Sequence, residues 1–233
     1  MIFVRLLLIS IAGWLVAACG AAPPAPATDQ TPKAEIAAPA APQALAAARW
    51  IMIGDSLTAG FGLPREQALP VLIEDLLRAR GIDAQIVNAG VSGDTSAGGL
   101  ARLEWTLSNE PYAGVIVALG ANDMLQGLDP AFTRTNLRQM LEAIAARELR
   151  IILIGMRASP SLGAARAAAF DAIYPDLAAE FAAPLYPFLL EGVALDPAFN
   201  QADGVHPNAD GAKIIAARLA DFLAAQALVP AQN

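Results

Sequence analysis

Two residue types that carry much of the metal and redox chemistry of proteins are nearly missing from this chain of 233 residues: cysteine occurs once, at Cys19, and histidine once, at His206. A single cysteine excludes an internal disulfide framework and a cysteine-based zinc site, and a single imidazole excludes every metal site that needs two. Chemistry that requires a histidine must use His206. Lysine is almost as scarce, with only Lys33 and Lys213, so none stands where a phosphate-binding loop or a receiver fold needs one. The 15 basic residues are outnumbered by 22 acidic ones, and the net charge of -7 repels nucleic-acid backbones and anionic membrane surfaces. Aromatic residues make up 6% and charged residues 16%, yet hydrophobic residues reach 56%, so the apolar excess is largely alanine. That is too apolar for a disordered chain, and the length suits one well-packed domain.

The first 18 residues carry one charge, Arg5, then the apolar run Leu6 to Val16 and the small residues Ala17 and Ala18. This is the order of a secretory signal peptide, and the run is short of the roughly 20 residues of a membrane span. Val16-Ala17-Ala18-Cys19 resembles a bacterial lipobox, which implies that Cys19 receives a lipid. The alternative is a small residue beside an ordinary cleavage site. Residues 20–48 are rich in Ala and Pro, with Pro23, Pro24, Pro26, Pro32, Pro39 and Pro42 blocking any continuous helix, and read as a tether. The expectation is a monomer on the periplasmic side of a bacterial envelope, touching the membrane only through an N-terminal lipid.

From Arg49 onward, short apolar runs alternate with longer amphipathic stretches. Trp50–Ile53, Ala84–Val87, Val115–Leu119 and Ile151–Ile154 have strand length and β-branched content, and all four read as buried on both faces. A fifth strand through Ala183–Phe188 is weakened by Pro184 and Pro187. Helices are expected over Glu66–Arg80, Thr95–Ser108, Phe132–Glu148 and Ala164–Phe181, and a last one over Ala209–Ala225. Alternating units of this kind imply an α/β fold, a parallel sheet of about five strands covered by helices on both sides. In such a sheet ligands bind beyond the carboxyl ends of the strands. Gly54 to Thr58, Asn88 to Asp94 and Gly120 to Asp123 follow three of the strands, and Asp203 to Asn208 precedes the last helix.

Those segments hold the parts of a nucleophilic site. A serine hydroxyl attacks only when a base takes its proton, and a neutral imidazole held by a carboxylate is the usual base. Ser56, directly after a strand, is the candidate nucleophile; His206 is the base; Asp203, three residues earlier in a turn containing Gly204, can fix its tautomer. An oxyanion needs preorganised donors, and three are on hand: the backbone N–H of Ser56, the backbone N–H of Gly93 and the side-chain amide of Asn122. Asp94 and Asp123 are expected to order their own loops or to cap the helices that follow.

Gly54-Asp55-Ser56-Leu57, Gly93 within Ser92-Gly93-Asp94-Thr95, Gly120-Ala121-Asn122-Asp123 and Asp203-Gly204-Val205-His206-Pro207 together resemble the four blocks of the SGNH, or GDSL, hydrolase family. Ala172-Ile173-Tyr174-Pro175 and Pro184 to Phe188 are similar to its branch of periplasmic thioesterases, lysophospholipases and arylesterases. The resemblance implies a three-layer α/β/α, flavodoxin-like sandwich over residues 49–229. It implies a Ser56-His206-Asp203 triad, an oxyanion hole of Ser56, Gly93 and Asn122, an acyl or aryl ester as substrate, and neither metal nor organic cofactor. Ala121 stands where the branch often has glycine, which suggests a tighter approach to the acyl site. Met156 to Gly163 corresponds to a loop beside that site.

The strand and turn at Gly54 contain neither G-x-x-x-x-G-K nor G-x-G-x-x-G, and Ser56 is not in the G-x-S-x-G of the α/β-hydrolases. Two alternatives stand beside the esterase reading: removal of acetyl groups from an envelope glycan by the same triad, and a tethered binding protein that retains the fold without turnover.

Overall fold

The four apolar runs are strands because their β-branched residues fit a pleated, covered surface, and the sheet they form is wholly parallel. In a computed structural model, which describes residues 48–108, 111–226 and Leu228, the strands are β1 (Ala48–Gly54), β2 (Ala84–Gly90), β3 (Gly114–Ala118), β4 (Arg150–Ile154) and β5 (Leu185–Tyr186). They lie in the order β2-β1-β3-β4-β5. The expected signal peptide, Cys19 and the tether up to residue 47 lie outside the described residues. Ala48, placed at the end of the tether, is the first residue of β1.

From β1 the chain moves one way to β2 and then back across the sheet to β3. Right-handed crossovers therefore send the intervening helices to opposite faces. The contacts agree: α2 (Leu69–Ala79) packs with α8 (Ala209–Ala225), while α5 (Pro130–Ala145) packs with α3 (Ser96–Leu107) and α7 (Ile173–Glu180). The core lies between these layers and the sheet, with Trp50, Ile53, Ile116, Leu153, Leu141 and Ile215 wholly shielded from solvent. Trp50 also donates its Nε1–H to the carbonyl of Leu228 at 3.0 Å, tying the first strand to the segment that follows α8.

Four expectations need correction. β2 is not buried on both faces: Gln85 and Asn88 are exposed, because β2 is the edge strand. Glu66–Arg80 is a 3-10 turn at Arg65–Gln67 followed by α2, with Pro70 in the first turn of that helix. Ala164–Phe181 is two helices, α6 (Ala164–Asp171) and α7, because Pro175 lacks the N–H that a continuous helix would pair with Asp171. The fifth strand keeps only Leu185 and Tyr186 between its prolines. Two short helices were not foreseen, α1 (Ser56–Ala59) and α4 (Ala121–Leu125), and both open a site segment.

In this strand order the chain reverses direction between β1 and β3, and the crevice at that point is where such sheets bind ligands. Ser56 follows β1 and Asn122 follows β3.

Candidate active site

β1 ends at Gly54 because nothing larger fits: a Cβ there would meet Thr58 Oγ1 at 2.0 Å and the carbonyl of Ala118 at 3.0 Å. The next residue, Asp55, caps α1, its Oδ1 accepting the Leu57 N–H at 2.9 Å. Ser56 thus occupies the first position of a one-turn helix, where the backbone N–H has no partner within the helix. Its side chain is buried, at 8% exposure.

His206 reaches this serine from the loop before α8. Asp203 Oδ1 accepts the N–H groups of Val205 and His206, each at 3.0 Å, and this turn places Oδ2 2.8 Å from His206 Nδ1. Those two backbone donors, followed by the imidazole, pull the Asp203 carboxyl down to about 2, so it is a carboxylate that can only accept. Nδ1 therefore carries the proton, and Nε2 accepts the hydroxyl of Ser56 at 2.8 Å. Phe61 covers the ring, with centroids 4.5 Å apart.

Asn122 stands in the first turn of α4 and not in a plain turn. Its Nδ2 donates to the carbonyl of Asp94 at 2.9 Å and lies 3.4 Å from Asp55 Oδ2. Burial pushes the Asp55 carboxyl up to about 6. Gly120 begins this helix with φ 116, and a Cβ there would meet Tyr174 Oη at 2.2 Å. Gly93 has φ 87 and open space where a Cβ would stand. Glycine is set there by the left-handed backbone and not by crowding.

Asp94 and Asp123 both have structural partners, though not the expected ones. Asp94 pairs with Arg102 at 2.6 Å, and α3 is capped instead by Thr95. Asp123 accepts the N–H and hydroxyl of Ser96 and the hydroxyl of Thr133, so it caps the start of α3, an earlier helix, from across the fold. Sequence reasoning missed Arg102, Phe61 and the burial of Asp55. Arg102 lies on α3 eight residues beyond its partner, a separation that carries no local pattern.

A cleft of about 370 Å³ opens on Ser56, His206 and Asn122. Its remaining wall is mostly apolar, with Met124, Met156, Phe188 and Leu190 among its residues, and Ala121 borders it as well. The loop of Met156 to Gly163 contributes Arg157, Ala158 and Ser159 beside Met156. Leu195 lies at the cleft in left-handed backbone, φ 64, with 77% of its surface exposed.

A flavodoxin-like sandwich that aligns a buried serine, an imidazole and a carboxylate beside an apolar cleft defines the class of serine hydrolases. Within it, the chain belongs to the GDSL-like lipase/acylhydrolase family, whose sequence profile matches residues 52–214. It is 41% identical over 184 residues to thioesterase 1/protease 1/lysophospholipase L1 of Escherichia coli, covering 79% of this chain and 85% of that protein. It is 35% identical over 178 residues to an arylesterase of Vibrio mimicus, covering 76% and 89%. The crystal structure of AlinE4, an SGNH-hydrolase family esterase, superposes with a TM-score of 0.66 at 44% identity, over 77% of this chain and 96% of that one. The chain is accordingly a carboxylic ester hydrolase.

Proposed function

We propose that this enzyme hydrolyses acyl esters and thioesters, lysophospholipids among them, through an acyl-enzyme on Ser56. As Ser56 Oγ attacks the carbonyl carbon, its proton passes to His206 Nε2 and the carbonyl electrons move onto oxygen. The oxyanion is received by the N–H groups of Ser56 and Gly93 and by Nδ2 of Asn122. Asp203 stays ionised and holds the imidazolium by Nδ1–H. The intermediate collapses, the leaving alkoxide or thiolate takes the proton from His206, and the acyl group remains on Oγ. Water then gives a proton to His206 and its hydroxide to the acyl carbon; Oγ leaves with that proton and the carboxylic acid is released.

The observation that carries this reading is the unbroken relay from Asp203 through His206 to Ser56, 2.8 Å at each link. The apolar cleft beside it is in the size range of small-ligand sites and suits a hydrocarbon chain. An envelope location, with Cys19 lipidated and the Ala/Pro-rich segment as tether, belongs to the same reading and suits a lipid-derived substrate. The test is a chain-length series of nitrophenyl esters, a lysophospholipid and an acetylated sugar, each given to wild type and Ser56→Ala. Acyl esters should be cleaved by wild type only, with Ser56→Ala folded and inert. Preference for the acetylated sugar would overturn the lipid-ester reading. A wild type that cleaves nothing and takes no fluorophosphonate label would make the chain a binding protein.

A further inference from the structure

Every oxyanion donor in this site hangs, within one or two links, from one guanidinium that does not line the cleft. Arg102 Nε donates to Asp94 Oδ2 at 2.6 Å. Its Nη2 donates to the carbonyl of Gly54 at 3.1 Å and to that of Ala89 at 2.8 Å, at the carboxyl ends of β1 and β2. Gly54 is two residues before Ser56. Asp94 directly follows Gly93, and the Asp94 carbonyl is the acceptor for Asn122 Nδ2. The Arg102 side chain is 20% exposed and that of Asp94 16%, so the pair is largely withdrawn from solvent.

We infer that Arg102 is the positioning residue that sets the spacing of the oxyanion donors. The inference rests on the roles proposed above for Ser56, Gly93 and Asn122. A guanidinium is suited to this because its planar fork fixes several acceptors at set angles, whereas an ammonium is a point charge on a flexible stem. Three acceptors are held here: the ends of two neighbouring strands and the carboxylate of the loop between β2 and α3. Fixing them together fixes the one donor that follows β1, the one that precedes Asp94 and the amide that Asp94 carries. Arg102 is not among the residues that line the cleft, so its contribution is realised through the donors it positions, where the oxyanion forms. A misplacement of about 1 Å at such a site costs roughly 100-fold in rate.

The experiment compares Arg102→Met, Arg102→Lys, Asp94→Asn and the Asp94→Asn/Arg102→Met double variant in the full chain. Active sites are counted by the end point of fluorophosphonate labelling, and affinity for an alkyl boronic acid, which forms a tetrahedral adduct on serine, is measured beside ester turnover. Arg102→Met should lower kcat per labelled site by about 100-fold with KM within about threefold, the signature of an interaction made only in the transition state. Boronate affinity should fall in proportion to kcat/KM, Lys should restore part of both, and the double variant should be no slower than the slower single one. A loss explained by fewer labelled sites that each turn over at the wild-type rate would overturn the inference. So would a raised KM at unchanged kcat, or additive effects in the double variant. A wild-type enzyme that neither labels nor turns over would refute the Ser56 reading itself.

Discussion

Replacing Asp55 with asparagine should change how stability depends on pH. Asp55 is 1% exposed, and removal from water raises its carboxyl from 3.8 to about 6. The folded state thus holds the proton more tightly than the unfolded chain does. The stability this gives is fully present below pH 3.8 and is lost as the pH rises through 6. A displacement of that size corresponds to about 3 kcal/mol, most of it developing between about pH 4 and 7.5. Asparagine keeps an oxygen for the Leu57 N–H but cannot ionise, so the variant escapes this loss. It also turns an NH2 toward Asn122 Nδ2, which lies 3.4 Å from Asp55 Oδ2, and this adds a destabilising offset. The offset does not vary with pH, whereas the linkage does. Urea unfolding of both proteins across this range should show the variant gaining on wild type by about 2–3 kcal/mol from acid to neutral pH, whatever the sign of the difference at either end. A difference that stays constant with pH would refute the claim that the buried carboxylate ionises at a cost.

Asp203→Asn should leave the fold intact and lower kcat by up to about 10,000-fold, because an amide NH2 facing Nδ1 favours the tautomer whose Nε2 cannot take the proton of Ser56; stopped ester turnover beside a wild-type circular dichroism spectrum checks it. Gly120→Ala should destabilise by about 2–4 kcal/mol through left-handed strain and the clash with Tyr174 Oη. A thermal midpoint equal to that of wild type would contradict that assignment.

The sheet and its helices were legible because their apolar periods are long and regular: α3 and α8 keep their expected bounds to within a residue. The errors fall where tertiary context overrides local pattern. Nothing in Ala84 to Val87 says that this strand sits at an edge, and Pro175 can start a helix as readily as break one. The relay of Ser56, Asp203 and His206 was readable from residue types because the chain owns one imidazole. The chemistry of Asn122 is legible in its amide, but the short helix that bears it is not. The supports of the site were invisible for a different reason. Arg102 meets Gly54, 48 residues away in the chain, and Asp123 meets Ser96 across 27, separations that only the folded topology brings together.

The serine and its imidazole are separated by 150 residues, while the carboxylate and imidazole are three apart. On the roles proposed for them, the ribosome releases the nucleophile early and its base 150 residues later, so the growing polypeptide is chemically silent until His206 emerges. On those roles, turnover requires the loop before α8 to dock against the turn that follows β1. Onset of turnover should therefore report that docking, and truncation before residue 206 should leave the proposed nucleophile without its base.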